Sequence, residues 1–276
     1  MAQERSAAAG WLTIGLGLFL ALALVRTGQF VAPRIAVEAV WAQITAFYLA
    51  LFAPLIVLAL ALGLAERRRV LRAGERPALW LALGLASGVG GLALCVGYVW
   101  LHGGLRPAPL LPPPAAAMLA LGLAITAMQV AAEELLFRGW LLAALAERTG
   151  AWGGVVLSAL AFSAFHLVGG IEQPYSLVNL LLGGVWFALL ALRSGGLLAP
   201  FAAHYGWNVT EDLGLGLVPN PGQGSFGALW DHDIAGPALW GGSIEGLNPT
   251  LAMTVVLLAL ILPLLSRPLL SRPLPR

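Results

Sequence analysis

The sequence contains no lysine, one cysteine, four histidines and four tyrosines, and only 10% of its 276 residues are charged. So little charge excludes an ordinary soluble domain, in which about a quarter of the residues are charged. The single thiol, Cys95, sits in an apolar run. It rules out an internal disulfide and a cysteine-based zinc cage, and leaves the redox compartment unread. All 15 basic residues are arginine and the formal net charge is +2. That surplus is too small and too scattered for nucleic-acid binding. Period-2 alternation of apolar and polar residues is absent too, which excludes a membrane β-barrel.

Apolar residues are what the chain has in excess: 59% are hydrophobic and the mean hydropathy is +0.87. At roughly 20 residues per crossing, this is enough for about eight spans. Apolar stretches bounded by charge, proline or glycine fall near 11–25, 40–64, 79–100, 115–143, 153–168, 175–192, 197–213 and 249–265. Inside a bilayer such stretches must be helices, because no water is present to satisfy an open backbone. The expected fold class is all-α, a polytopic membrane bundle of about eight transmembrane helices forming one integral membrane domain over residues 1–276. No internal repeat is visible. Small residues at Gly84, Gly88 and Gly91, and at Gly183 and Gly184, either permit close helix approach or reflect an alanine- and glycine-rich composition.

Arg67, Arg68, Arg69, Arg72 and Arg76 crowd the loop between the second and third spans, and arginine accumulates on the cytoplasmic side. Alternating outward from that loop places eleven arginines on the cytoplasmic side with both termini, and three, Arg26, Arg34 and Arg106, on the other. Arg138 falls inside a span. Arg5, the apolar run and Ala21-Leu22-Ala23 also fit a signal peptide, whose removal would leave the remaining orientation unchanged. A lysine-free chain rich in alanine and arginine points to a GC-rich bacterial genome and hence to a bacterial inner (plasma) membrane. The long loop 214–248 carries Phe226, Trp230 and Trp240, expected at the interface as an amphipathic flap. Its Asp231-His232-Asp233 has the look of a metal triplet but reads better as solvated loop, since adjacent residues rarely converge on one ion.

Ionisable groups deep in a bilayer are costly and are functional candidates by default. Three clusters occur. On the fourth span Glu134 and Arg138, four residues apart, share a face and can neutralise each other. Glu133 points about 100° away and lacks a partner on its own helix. An unpaired carboxylate in an apolar span is a usable proton acceptor. The fifth span carries Phe162 and His166, and the seventh places His204 and Asn208 on one face. A carboxylate and two imidazoles on three helices can meet in a bundle and activate water, either directly at Glu133 or on a metal. Asn208 would orient His204 or donate to an oxyanion.

These three motifs, Glu133-Glu134 with Arg138, Phe162 with His166, and His204 with Asn208, resemble the CPBP (ABI) family of intramembrane proteases. That family includes type II CAAX prenyl endopeptidases, Ras-converting enzymes and bacterial bacteriocin-processing or immunity homologues. The order of the motifs matches, as does Phe137-Arg138-Gly139, over a catalytic core of about 115–213. The resemblance implies an intramembrane endopeptidase, with Glu133, His166, His204 and Asn208 catalytic and Glu134 and Arg138 supporting. The substrate it implies is a membrane-associated protein or lipidated peptide, prenylated in eukaryotic members. The family is commonly labelled a metalloprotease family, which would make His166 and His204 zinc ligands, yet a metal-free glutamate mechanism is also argued for it. Outside the resemblance, the same polar residues suit a proton-coupled transporter, though no inverted repeat is visible, or a non-catalytic scaffold or immunity protein. The expected span boundaries leave one conflict: Glu133 lies beyond the middle of its span, His166 near the outer end and His204 in the inner half, whereas residues of one site share a depth.

Overall fold

A computed structural model describes residues 2–107, 116–217 and 226–265, with side chains from Ala9 onward and Pro107 by its backbone alone. Arg267, Arg272 and Arg276 of the expected topology lie outside the described residues. The chain is helical almost throughout: α1 (Ala2–Val31), α2 (Val40–Ala65), α3 (Pro77–Leu101), α4 (Ala116–Glu134), α5 (Leu142–Val168), α6 (Pro174–Ser194), α7 (Leu198–Val209), the single turn α8 (Ala238–Gly241) and α9 (Leu251–Leu265). A π-helical segment, Leu135–Leu141, joins α4 to α5, and a second, Thr210–Gly214, prolongs α7. Each of the eight expected spans coincides with helix. Among the described residues, five helical stretches can cross a membrane by length and composition, one of them the continuous Ala116–Val168, and Leu251–Leu265 is a shorter apolar helix. Large apolar side chains such as Leu12, Phe19, Leu64, Leu94 and Leu262 are exposed, as expected where lipid tails are the solvent. The protein is an integral membrane helix bundle.

The stretch 116–168 folds back on itself at Gly150, whose φ of +78° and ψ of 169° suit glycine, which has no Cβ to clash. Contacts pair symmetrically about this turn. Gly154 packs on Ala146, and the Phe137 ring meets those of Phe162 and Phe165 at 5.4 and 5.3 Å. The fourth span therefore runs past the expected 143 to Thr149. This boundary resolves the conflict of depth between Glu133 and His166. Glu133 lies 17 positions before Gly150 and His166 lies 16 after it, so the two arms of the hairpin carry them to the same height.

One end of the bundle gathers the arginine-rich loop and the turns expected to share its side. Arg68 pairs with both carboxylate oxygens of Glu147 at 2.7 and 2.6 Å. The Leu197 N–H donates to the Arg72 carbonyl and the Glu75 N–H to the Ser194 carbonyl, each at 2.8 Å. Arg193 Nε donates to the carbonyl of Leu264, at the end of α9. At the opposite end β1 (Leu105–Pro107) pairs antiparallel with β2 (His232–Ile234), so part of the long loop is an ordered cap. Phe226 is buried with Tyr48, Ile125 and Leu213 rather than lying at the interface, whereas Trp230 and Trp240 are exposed. The Asp231-His232-Asp233 run enters β2, where successive side chains point to opposite faces and cannot converge on one ion.

The small residues of α3 press α7 into place. A Cβ on Gly84 would lie 2.4 Å from the Ala199 carbonyl oxygen, and one on Gly88 would lie 2.1 Å from that of Ala203. Helix α7 is thus backed by α3 immediately behind His204. Gly184 makes a similar approach to Ala159, while Gly183 has open space around it.

Candidate active site

Glu133, Gln129, His166, His204, Asn208 and Glu211 line one cavity of ≈ 420 Å³, within the range of small-molecule pockets. Its far wall is apolar and comes from α1 and α2, with Val25, Phe47, Leu51 and Leu55. All four residues expected to be catalytic therefore share one chamber. Glu133 is 9% exposed, His204 6% and Asn208 8%, while His166 is half-buried.

Glu134, directly after Glu133, is the pivot. Its Oε1 accepts a hydrogen bond from Arg138 Nη1 at 2.8 Å and lies 2.9 Å from His204 Nδ1. The first contact is the expected neutralising pair; the second joins helices 70 positions apart. A carboxylate held by arginine accepts, so His204 Nδ1 carries a hydrogen, and in the neutral imidazole its Nε2 bears a lone pair. That Nε2 lies 3.9 Å from Glu133 Oε2. This is too long for a direct hydrogen bond and suits a group held between the two atoms. Glu133 Oε2 is buried and has no protein hydrogen-bond partner among the described residues. Its Oε1 does have one on its own helix, which the sequence reading lacked: Gln129 Nε2 at 3.4 Å.

His166 is set in the same tautomer by a local contact. Its Nδ1 is 2.8 Å from the Phe162 carbonyl one turn back, and since a carbonyl only accepts, Nε2 again bears the lone pair. Phe162 packs edge-on against the His166 ring at 4.7 Å and the His204 ring at 6.1 Å. Phe187 of α6 stacks on His204 at 4.6 Å and 20°. Between these aromatics lies Arg138, 1% exposed, with its Cζ 4.3 Å from the Phe162 ring centre and 5.0 Å from that of Phe187. A cation over desolvated ring faces is stabilised by the ring quadrupole. The π-helical segment starts immediately after Glu134 and contains Arg138, an irregularity that recurs at functional sites.

Glu211, 4% exposed, was not among the expected residues. It follows His204 and Asn208 at the seven-residue helical repeat, and its Oε1 accepts the Leu247 N–H at 3.5 Å. The signal was present in the i, i+4, i+7 spacing but fell at the expected end of a span, where a carboxylate reads as interfacial.

Zinc chemistry asks for donors of the right type and the right spacing. The type fits, with two imidazole Nε2 atoms and a carboxylate. The spacing does not: ligands of a tetrahedral zinc lie about 3.3 Å from one another, whereas Glu133 Oε2 and His204 Nε2 are 3.9 Å apart. Among the described residues no three His, Cys, Asp or Glu side chains are placed to hold an ion.

Residues 115–210 match the family model of the type II CAAX prenyl endopeptidases, Rce1-like. This stretch is similar to that family. The match spans all three motifs, from the start of α4 to the end of α7, and so bears out the family read from them. The Rce1-like family is a protease family, which supports peptidase activity at the family level. Helices α1 to α3 and α9 lie outside the Rce1-like match. No curated protein and no solved structure matches the chain.

Proposed function

We propose that the chain is an intramembrane endopeptidase that cleaves a membrane-associated protein or lipidated peptide, with Glu133 as the base that activates water. The observation that carries this reading is the pair of atoms facing each other across the cavity, Glu133 Oε2 and His204 Nε2, 3.9 Å apart. Each is an acceptor, so a water between them gives one hydrogen to each. Glu133 then takes a proton as the water oxygen attacks the scissile carbonyl. The tetrahedral oxyanion needs donors. His204 in this tautomer cannot donate from Nε2, so the donor role falls to the Asn208 amide, the cavity-lining group one turn further along α7. Glu133 returns its proton to the leaving amine, closing the cycle with water consumed and one peptide bond broken. His166, with its own Nε2 lone pair, positions the water or the substrate.

The apolar wall from α1 and α2 supports a substrate whose scissile segment is flanked by hydrocarbon. Prenylated, otherwise acylated and plain transmembrane peptides all meet that description. The test is hydrolysis by detergent-solubilised protein of matched peptides with and without a lipid on the residue beside the scissile bond. Cleavage by the wild type that Glu133→Gln abolishes supports the reading. Equal cleavage by both proteins removes Glu133 from the base role.

A further inference from the structure

Glu133, Glu172, Glu211 and Glu245 all line the cavity, and among the described residues the only basic groups on its wall are His166 and His204. No described arginine lines it, and the chain has no lysine. Arg138 is turned away to Glu134 and the Gly184 carbonyl. The proposed reaction uses Glu133 and leaves the other three carboxylates without a task.

Two of those three converge on one turn. Glu211 Oε1 accepts the Leu247 N–H at 3.5 Å, its carboxylate also takes a hydrogen bond from Trp207, and Glu245 stands two positions before Leu247. The turn is firmly held. Ser243 and Gly246 exchange backbone hydrogen bonds at 3.0 and 2.9 Å, and Gln173 Nε2 donates to Ser243 Oγ at 2.7 Å. Glu245 Oε1 accepts the N–H groups of Glu172 and Gln173 at 2.8 and 3.1 Å. The second oxygen of the same side chain, Oε2, is buried and has no hydrogen-bond partner among the described residues, in a residue only 7% exposed.

A carboxylate accepts at both oxygens, and a buried acceptor left unpaired is costly. The group that completes this one is a donor. Ammonium and guanidinium offer donors alone, with the charge that a wall of carboxylates favours. A metal ion fits less well, because among the described residues no three His, Cys, Asp or Glu side chains are placed to hold one. Trp186 and Trp207, with ring centres 6.2 Å apart, line the same cavity and add aromatic surface of the kind that attracts a cation.

We infer that the end of the cavity at Glu211 and Glu245 is a specificity subsite for a cationic side chain of the substrate, lysine or arginine. This rests on the endopeptidase reading for the identity of the ligand as a peptide. Glu211 follows His204 by seven residues, about 10 Å along a helix, which extended peptide covers in about three residues. The cation is therefore expected about three residues from the scissile bond.

The test is binding to the Glu133→Gln protein in a neutral maltoside detergent, read by fluorescence anisotropy. The probes are farnesylated peptides with blocked termini and an uncharged nitrobenzoxadiazole label. A single lysine is moved through the positions on either side of the farnesylated residue and compared with norleucine at each. About three residues from the farnesylated residue, lysine is expected to lower Kd by about 10- to 100-fold relative to norleucine, the scale of a hydrogen bond to a charged group. Glutamate at that position is expected to raise it. Glu245→Gln keeps a carbonyl for the N–H groups of Glu172 and Gln173 and removes the charge, so it is expected to bring the lysine-to-norleucine ratio close to one at an unchanged thermal midpoint. Glu211→Gln makes the same comparison should the first variant unfold. Lysine and norleucine peptides that are indistinguishable at every position, or a preference that the folded variants keep, overturn the inference. Binding needs no hydrolysis, so the two readings fail separately. Cleavage by the wild type with no preference for lysine defeats only the subsite, and a lysine preference on a protein that cleaves nothing defeats only the endopeptidase.

Discussion

Oε1 of Glu134 stands between two partners, Arg138 Nη1 at 2.8 Å and His204 Nδ1 at 2.9 Å. The arginine fixes the carboxylate, the carboxylate sets that the facing histidine nitrogen carries a hydrogen, and in the neutral ring the other nitrogen is left as a lone pair near Glu133. A charge pair that looks purely structural in the sequence thus reaches the reacting end of the cavity through one shared oxygen.

Glu134→Ala is expected to lower kcat by about 100-fold or more with little change in KM, since losing a carboxylate that orients a catalytic histidine costs up to about 10⁴-fold. Glu134→Gln keeps a carbonyl acceptor for Nδ1 and is expected to recover part of the loss. Steady-state kinetics on one lipidated peptide checks both. A loss confined to KM would remove Glu134 from the orienting role.

Arg138→Ala leaves the Glu134 carboxylate buried without its cation. Breaking a buried pair on one side costs about 3–5 kcal/mol, and the rings of Phe162 and Phe187 lose the charge they enclose. The expected outcome is a clear fall in thermal midpoint in detergent, while an exposed arginine, Arg69→Ala, leaves the midpoint unchanged.

Gly88→Val tests the contact that presses α7 forward. Its Cβ would lie 2.1 Å from the Ala203 carbonyl oxygen, so α7 must shift and carry His204 with it. Overpacking of this kind costs about 1–3 kcal/mol, and hydrolysis is expected to fall as well. Gly90→Ala, with nothing within 4 Å, is expected to leave both stability and hydrolysis intact.

Chelation is expected to leave hydrolysis unchanged, since the proposed mechanism asks only Glu133 to activate the water. Metal analysis of the purified protein beside the assay checks this. Stoichiometric zinc, with activity lost on chelation and restored by the ion, would put His166 and His204 in a ligand set that closes further than the 3.9 Å seen between Glu133 and His204.

The helices and the four cavity residues were legible because apolar run length and four-residue spacing are local properties. Glu133, His166, His204 and Asn208 could be read from their own spans. Their common depth could not, since it depends on α4 continuing through the π-helical segment to Thr149, and Ala144 to Arg148 read as the start of a loop. The Glu134 to His204 contact was hidden for a different reason: spacing within a helix says nothing of which neighbour a side chain meets across the bundle. The pairing of Leu105–Pro107 with His232–Ile234, and the tie from Glu211 to Leu247, are likewise long-range. They left the cap looking like an open loop and Phe226 like an interfacial ring.

The most direct measurement is hydrolysis of a set of lipidated and unlipidated peptides by the wild type and by Glu133→Gln, which keeps the shape of the side chain and removes its basicity. The account predicts cleavage by the wild type and a loss of about 100-fold or more in the variant, on the scale of a general base, with the same thermal midpoint. Full cleavage by a folded Glu133→Gln protein would contradict it.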